Sequence, residues 1–511
     1  MSQSYFKIDQ FDLASSVSAG GITGSSKVKA GGVSYQLKPS ILDAKSTRKL
    51  KAGGVDRENF GEVIAATMSR AISGADQVGA TELVPEVSLV HDVKNERVLI
   101  ASKYLDNVQD GTLDDYAQKS RGVKTKKRHV KVSAKGPAPD TLDLRGDPLL
   151  RQDLANAFAL SALSGDHDVN PGNMVVVRDK DNNTRVARID FGHAFNDLLN
   201  APKAFGGQVR NKGNQILDFL NRETVSDLRP NSRQAKLWRD YDGIVPSAEL
   251  AKAFKEMSES KGVTYGIEQA KKSFGDLVNE LLEDPQGNKE VIEHVKNSLI
   301  AINNNVSDVK IDPKKVNVYE AMQSTFKNLE TFYNKGQEQM KDVAKLMDMQ
   351  VKVDKLVRAH KKKEPLTQET KALLQEVEKA YKELEGAQGI GLGAGKGIEW
   401  VKSDKNSKPF KGTLDEFIKQ RGQDLGLQTA QPTRGQDIAI QDIKPQVRPI
   451  IEDMSEHLIP SESAGKKSSL LSQIRNDLKP MKAVVKAAKK VASFVNKVTS
   501  RKNKGGYDLF H

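Results

Sequence analysis

The apolar positions of this chain follow two rhythms. Over 56–72 (DRENFGEVIAATMSRAI), Phe60, Val63, Ile64, Thr67, Met68 and Ile72 recur at three- and four-residue steps. That predicts a helix with Asp56 as its N-cap. Strand alternation rules 33–39 (VSYQLKP), and again 83–105, read as two strands about a turn at KNE. The apolar run 174–177, the turn-rich DKDNN and a second β-rich run ending in Ile189-Asp190-Phe191-Gly192 predict a hairpin. A helical face of Leu150, Leu154, Ala157 and Phe158 precedes it. Residues 15–32 (SSVSAGGITGSSKVKAGG) are small and polar and read as a loop. Residues 106–145 are polar and Lys-rich and read as a loop or insert.

Helical periodicity dominates the rest. Patterns over 214–304 suffice for a helical lobe, with Trp238 expected in its core. Near residue 310 the composition turns more charged. Residues 315–363 and 366–386 predict long helices separated by Pro365, with an incomplete apolar stripe through Tyr319, Met322, Phe326, Leu329, Tyr333, Val343, Leu346 and Leu356. Heptads do not persist, so a hairpin or bundle is expected rather than a long coiled coil. Residues 386–397 (GAQGIGLGAGKG) fail as a phosphate loop, which needs Gly at 390 and Ser or Thr at 397, where the chain has Ile390 and Gly397. They read as a linker. Over 480–500, Met481, Val484, Val485, Ala488, Val491, Val495 and Val498 share one helical face, with Lys482, Lys486, Lys489, Lys490 and Lys497 largely off it. That pattern suits an anionic bilayer surface, a packed terminal helix or a calmodulin-type target.

Composition narrows the function classes. The chain has 511 residues, 37% hydrophobic and 29% charged, with a net charge of +13. Anionic partners are favoured. No nucleic-acid-binding pattern is present and aromatics are 5%, so nucleic acid is not expected and a membrane surface gains. There is no cysteine, which excludes disulfides, thiol chemistry and Cys-based zinc sites. No run approaches a membrane span and no Sec-type leader is visible, so a soluble or peripheral protein is expected.

The chemistry concentrates in 164–195. Asp168 precedes Asn173 by five residues, and Asp190 ends the hairpin. Phosphoryl transfer needs these residue types. Mg²⁺ bridging phosphates wants hard oxygen ligands, which Asn173 and Asp190 supply. A further carboxylate, Asp168, must meet the acceptor hydroxyl to orient it and take its proton. Pro171-Gly172 turns the chain so that Asp168 and Asn173 face one site. Upstream, Gly24-Ser25-Ser26 is the expected phosphate-gripping tip and Lys38 the lysine that neutralises ATP phosphates. Glu62 on the predicted helix would hold Lys38, with Glu58 as its rival. Residues 100–104 would lie against the adenine.

These motifs carry a resemblance. Ile189-Asp190-Phe191-Gly192-His193 resembles the I-D-F-G-H of phosphatidylinositol 3-/4-kinases. Gly165-Asp166-His167-Asp168-Val169-Asn170-Pro171-Gly172-Asn173 looks like a drifted form of their G-D-R-H-x-x-N loop. Spacing to Asn173 selects Asp168 over Asp166 as the loop acid, and Asn170 then replaces the family's loop His. The Pro-Gly-Asn ending is also similar to that of aminoglycoside- and choline-type kinases. H-R-D, A-P-E and V-A-I-K are absent, so the chain does not read as an ordinary protein kinase.

The resemblance implies an α+β, bilobal kinase-like fold. Its parts would be an N-lobe (1–105), a basic insert (106–145), a C-lobe (146–305), a helical hairpin or bundle (306–400) and a C-terminal helical or linker region (401–511). It implies ATP and Mg²⁺ as cofactors and phosphatidylinositol as substrate, with 3-kinase slightly preferred over 4-kinase. His193, Lys203, Arg210 and Lys212 would meet the substrate. It further implies an effector secreted by an intracellular bacterium, acting on phosphoinositide-containing host membranes, with host proteins as possible partners of the helical half. The alternatives are a protein or small-molecule kinase of the same core, and a scaffold binding membranes or host proteins.

Overall fold

The computed structural model describes residues 5–20, 25–39, 56–75, 80–106, 108–113, 148–166, 169, 171–195, 214–223, 247–362, 364, 367–387, 390, 397–401 and 410–424. All belong to one unit, Met1–Thr429. The chain is α+β, with a β-rich N-terminal part and a helical remainder, compatible with a bilobal kinase-like arrangement.

The N-terminal part is a six-stranded sheet. Its strands are β1 (Tyr5–Lys7), β2 (Asp12–Gly20), β3 (Ser25–Ala30), β4 (Val33–Lys38), β5 (Val87–Asp92) and β6 (Arg97–Lys103), in the order β1-β5-β6-β4-β3-β2. Only the β1–β5 pair is parallel. The loop expected over 15–32 is therefore mostly strand. Alternation was hidden there by small residues: Val28 and Ala30 are buried, while Lys27 and Lys29, alternating with them, are exposed. The two-residue β3–β4 turn is Gly31-Gly32 at φ 54° and 82°, the left-handed pair that a tight hairpin requires.

The two faces of this sheet differ. Phe6, Phe11, Val28, Tyr35, Leu37, Val90, Leu99 and Ala101 build a separate core on one face. The rings of Phe6, Phe11 and Tyr35 lie 5.2–5.6 Å apart in tilted and edge-on contacts. On the other face, Leu89, Val98 and Ile100 join the main core against helix α1 (Arg57–Ser73). α1 begins as the pattern predicts, with Asp56 accepting from the Asn59 N–H at 3.2 Å. It ends at Gly74, φ 72°.

A second sheet of three strands follows: β7 (Val108–Thr112), β8 (Met174–Arg178) and β9 (Thr184–Arg188), paired in that order. β7 lies inside the stretch expected to be a loop or insert. Its polar sequence, VQDGT, hides it, and its pairing to β8 supplies the order. α2 (Pro148–Ser164) packs behind β9 and feeds the loop before β8.

Helices complete the unit: α3 (Gln215–Glu223), α4 (Ser247–Glu259), α5 (Gly262–Leu281), α6 (Lys289–Val306), α7 (Val318–Lys361) and α8 (Gln368–Glu385). The 44-residue α7 starts at a capping box of Asn317 and Glu320. It runs across α4, α6 and α3, so the hydrophobic core is continuous across residues 305–306. α8 lies along it through Lys345–Glu383 and Lys352–Glu376 pairs. A two-residue hairpin, β10 (Ile398–Glu399) and β11 (Lys411–Gly412), and helix α9 (Leu414–Asp424) close this end. There Trp400 is fully buried, stacked on Phe417 with centroids 3.8 Å apart. Trp238, Pro365 and most of 386–397 lie outside the described residues. Among the described residues, no helix is long and apolar enough to cross a membrane.

α1 is bound to the helical lobe at both ends. Its cap residue donates the Asp56 N–H to Ser298 Oγ of α6 at 3.0 Å. At the other end, Ser260 Oγ donates to the Ile72 carbonyl at 2.8 Å. Between them Phe60 meets the Phe274 ring edge-on at 5.3 Å. Gly262 comes so near that a Cβ there would sit 2.2 Å from the Ala71 carbonyl oxygen.

Candidate active site

Lys38 closes β4. Leu37, its neighbour, points into the outer core, so the pleat turns Lys38 to the opposite face, toward α1. The Asn59 amide binds the Pro39 carbonyl at 3.2 Å and fixes the strand end over the start of α1. There Lys38 Nζ meets both Glu62 oxygens, at 2.7 and 2.8 Å, and Asp190 Oδ1 at 3.5 Å. Glu62 is 2% exposed; Glu58, one turn earlier, is half-buried. Of the two rivals, Glu62 holds the lysine.

Burial pushes the Glu62 carboxyl up to about 7; the Lys38 ammonium pulls it down and Asp190 and Asp166 push it further up. For Lys38, burial works against the charge, but Glu62 and Asp190 outweigh it and raise its pKa. Burial would also lift the Asp190 carboxyl. The charges of Lys38 and Arg188 and the Gly192 N–H hold it below the usual carboxylate range instead. Asp190 is thus kept ionised and is 47% exposed at its side chain.

Asp190 has φ 58°, in the left-handed region that non-glycine residues avoid at a cost of roughly 1–2 kcal/mol. The next turn explains what holds it there. Phe191 and Phe195 are fully buried, and the Phe195 N–H donates to the Ser164 carbonyl at 3.0 Å. Gly61 of α1 lets this turn approach: a Cβ there would lie 3.2 Å from the Ala194 carbonyl. A Cβ at Gly192 would lie 3.2 Å from Asp190 Oδ1 and 3.9 Å from Glu62.

The loop before β8 is tied to the same end. A 3-10 turn, Pro171–Asn173, leads into β8, where Met174 pairs with Arg188. The Asn173 carbonyl accepts the Ile189 N–H at 2.9 Å, which sets Asn173 opposite Ile189 and beside Asp190. Asp166 is wholly buried and pairs with Arg188 at 2.7 Å. It is therefore a structural acid, and not available to an incoming hydroxyl.

The roof of this cleft is legible from register. Lys27 pairs with Gln36 and Gln36 with Ser102, so these three share a face with Lys38. Lys27 Nζ lies 4.7 Å from the centroid of the Tyr104 ring, where the chain leaves β6. Ser25 is on this face, buried, and accepts from the Gln36 amide at 2.9 Å. Ser26 is a correction to the expected tip. It pairs with Leu37, so the pleat turns it to the outer face, away from Lys38.

The donor set fits Mg²⁺. One ionised, solvent-reaching carboxylate and one amide stand at the end of a single hairpin, and hard oxygens suit that ion when phosphates complete its shell. Among the described residues no three His, Asp or Glu side chains gather into a metal cage of their own.

The remaining expected residues divide plainly. His193 is exposed in the turn after Asp190. Gly24, Asp168, Lys203, Arg210, Lys212, Lys482, Lys486, Lys489 and Lys490 lie outside the described residues. Sequence reasoning missed Arg188, although a signal existed. In TRVAR, Arg188 has the same strand parity as Val186, and both are buried. A cation on the apolar side of a strand needs a partner.

Residues 151–207 match the LepB N-terminal domain family, a minor part of the chain that includes most of α2, the loop and the hairpin. Among solved structures the chain is similar to a Helicobacter pylori proinflammatory kinase, CtkA, at 12% identity and a TM-score of 0.31. That likeness covers 65% of this chain and 95% of the other. No curated protein matches.

Proposed function

We propose that this protein is an ATP- and Mg²⁺-dependent phosphotransferase with an alcohol acceptor, and that the acceptor is an inositol-ring hydroxyl of phosphatidylinositol. One observation carries the phosphotransferase reading: a single ammonium, Lys38, bridges the buried Glu62 of α1 and the metal-competent Asp190 of the hairpin. A kinase cleft needs that arrangement to align phosphates between two lobes.

In this reading Lys38 neutralises phosphate oxygens while Glu62 keeps it aimed. Asn173 and Asp190 would hold Mg²⁺, which when bound would supply charge neutralisation at the phosphates. Asp168, two residues beyond the buried Asp166, orients the acceptor hydroxyl and takes its proton. The lipid assignment is supported by the Ile189-Asp190-Phe191-Gly192-His193 segment and by the chain's net charge of +13, which favours anionic surfaces. His193 stands exposed beside the site, where it can meet a headgroup. Action on host membranes as a bacterial effector belongs to the same proposal, with the lysines Lys482, Lys486, Lys489 and Lys490 as membrane contact.

The test is transfer from γ-labelled ATP with Mg²⁺ and vesicles of phosphatidylinositol and its phosphates. Label in phosphoinositides is expected, and the position of the new phosphate distinguishes 3- from 4-kinase. Label in protein, with none in lipid, would instead favour a protein kinase of the same core. Absence of any Mg-ATP-dependent thermal shift would remove the catalytic reading altogether.

A further inference from the structure

We infer that Arg188 is a positioning residue: its buried pair with Asp166 and its bond to the Asn173 carbonyl set where the two ends of the acceptor loop sit relative to the strand end that carries Asp190. The inference rests on the phosphotransferase reading and deepens it. The Arg188 side chain is 1% exposed and that of Asp166 0%. Each nitrogen of the guanidinium serves a different piece of the site. Nε donates to Ser161 Oγ of α2 at 3.2 Å. Nη2 donates to Asp166 Oδ2, at the start of the loop, at 2.7 Å. Nη1 donates to the Asn173 carbonyl, at the loop's end, at 2.9 Å, and also to the Ile189 carbonyl just before Asp190. The Phe191 ring packs beneath, its centroid 5.1 Å from Cζ.

Stability alone does not account for this pair. Two apolar side chains of similar volume stabilise a core about as well, because a buried ion pair carries a large desolvation penalty. A guanidinium offers something else: donors in a rigid plane. One planar group thus fixes both ends of the loop 166–173 and the carbonyl next to Asp190. Asp168 stands two residues from one anchor, and Asp190 two residues from Arg188 itself. A displacement of about 1 Å between reacting groups can slow transfer roughly 100-fold. Lysine, with three donors on a single nitrogen, cannot hold that spread of acceptors.

The experiment replaces the pair by apolar volume, Asp166→Leu with Arg188→Met, beside the single Arg188→Lys. Four quantities are read: melting temperature, ATP affinity without metal, Mn²⁺ affinity in the presence of a non-hydrolysable ATP analogue, and label transfer from ATP. The double variant should melt within about 5 °C of wild type, as apolar replacement of buried pairs generally allows. Metal-free ATP affinity should stay within about threefold, since Lys38 and Glu62 are untouched. Mn²⁺ affinity should fall at least about 10-fold and transfer at least about 100-fold. Arg188→Lys should fold and still lose at least about 10-fold in transfer; it decides the matter if the double variant does not fold. Transfer and Mn²⁺ affinity within about threefold of wild type in either folded variant would overturn the inference. Failure of the wild type to bind Mg-ATP would instead strike the phosphotransferase reading, and is seen separately in the wild-type control.

Discussion

Lys38 and Glu62, twenty-four residues apart, form a two-pronged ion pair at 2.7 and 2.8 Å in which both partners are almost fully withdrawn from water. A strand end and a helix are joined there by one charge, which a phosphate can share. Lys38→Met should weaken ATP binding by about 10–100-fold, the range for a lost hydrogen bond to a charged group. Isothermal calorimetry with ATP measures this, and an unchanged affinity would show that the lysine does not face the nucleotide.

The pair also carries a pH dependence whose two effects oppose each other. The Glu62 carboxyl rises from 4.5 to about 7 on folding, so its contribution to stability is whole below 4.5 and is lost as pH climbs through 7. Nucleotide binding runs the other way, because the lysine needs the ionised carboxylate to aim it. ATP affinity should therefore rise from about pH 6 to about pH 8, and Glu62→Gln should flatten both profiles. Calorimetry and thermal melts across that range measure the two; a wild-type affinity that ignores pH would contradict this account.

Asp190 combines a backbone demand with a chemical one. Its φ of 58° is a conformation that asparagine adopts more readily than alanine. Asp190→Asn should melt near the wild-type temperature, whereas Asp190→Ala should melt lower. On the proposed reading both should lose transfer by at least about 100-fold, since each removes the carboxylate that would hold Mg²⁺. Melting and label transfer, measured side by side, separate the two demands.

Two glycines of α5 offer a matched test of packing. A Cβ on Gly262 would press to 2.2 Å of the Ala71 carbonyl, while one on Gly275 would meet nothing within 4 Å. Gly262→Ala should destabilise by about 1–3 kcal/mol. Gly275→Ala should stabilise by about 0.5–1 kcal/mol through helix propensity alone. Denaturant melts of the two variants read the contrast directly.

Much of the frame could be read from residue order. The α1 pattern located the helix to within a residue at each end, because its apolar stripe and Asp56 cap agree. The β8–β9 hairpin was legible because valines flank a DKDNN turn. What escaped were elements ordered by partners rather than by their own pattern. β2 and β3 are rich in Ser and Ala with few large apolar residues, and only the Phe6, Phe11 and Tyr35 core beneath them reveals which positions are inward. β7 has no strand signature apart from its neighbour. In the site, Lys38 and Asp190 come within 3.5 Å and the Asn173 carbonyl binds the strand beside Asp190, and the choice between Glu62 and Glu58 had to wait for the helix phase. Asp166 and Arg188 lie twenty-two residues apart, and nothing local to either one names the other.

The double anchorage of α1 decides which parts of this molecule can move. In a cleft where the glutamate helix is loosely held, swinging that helix outward separates the lysine from its partner and silences the site. Here Ser298 grips the start of α1, while Ser260 and the close approach of Gly262 hold its end, so such a swing would break the contacts at both. Glu62 is therefore placed by the helical lobe rather than by the sheet that carries Lys38.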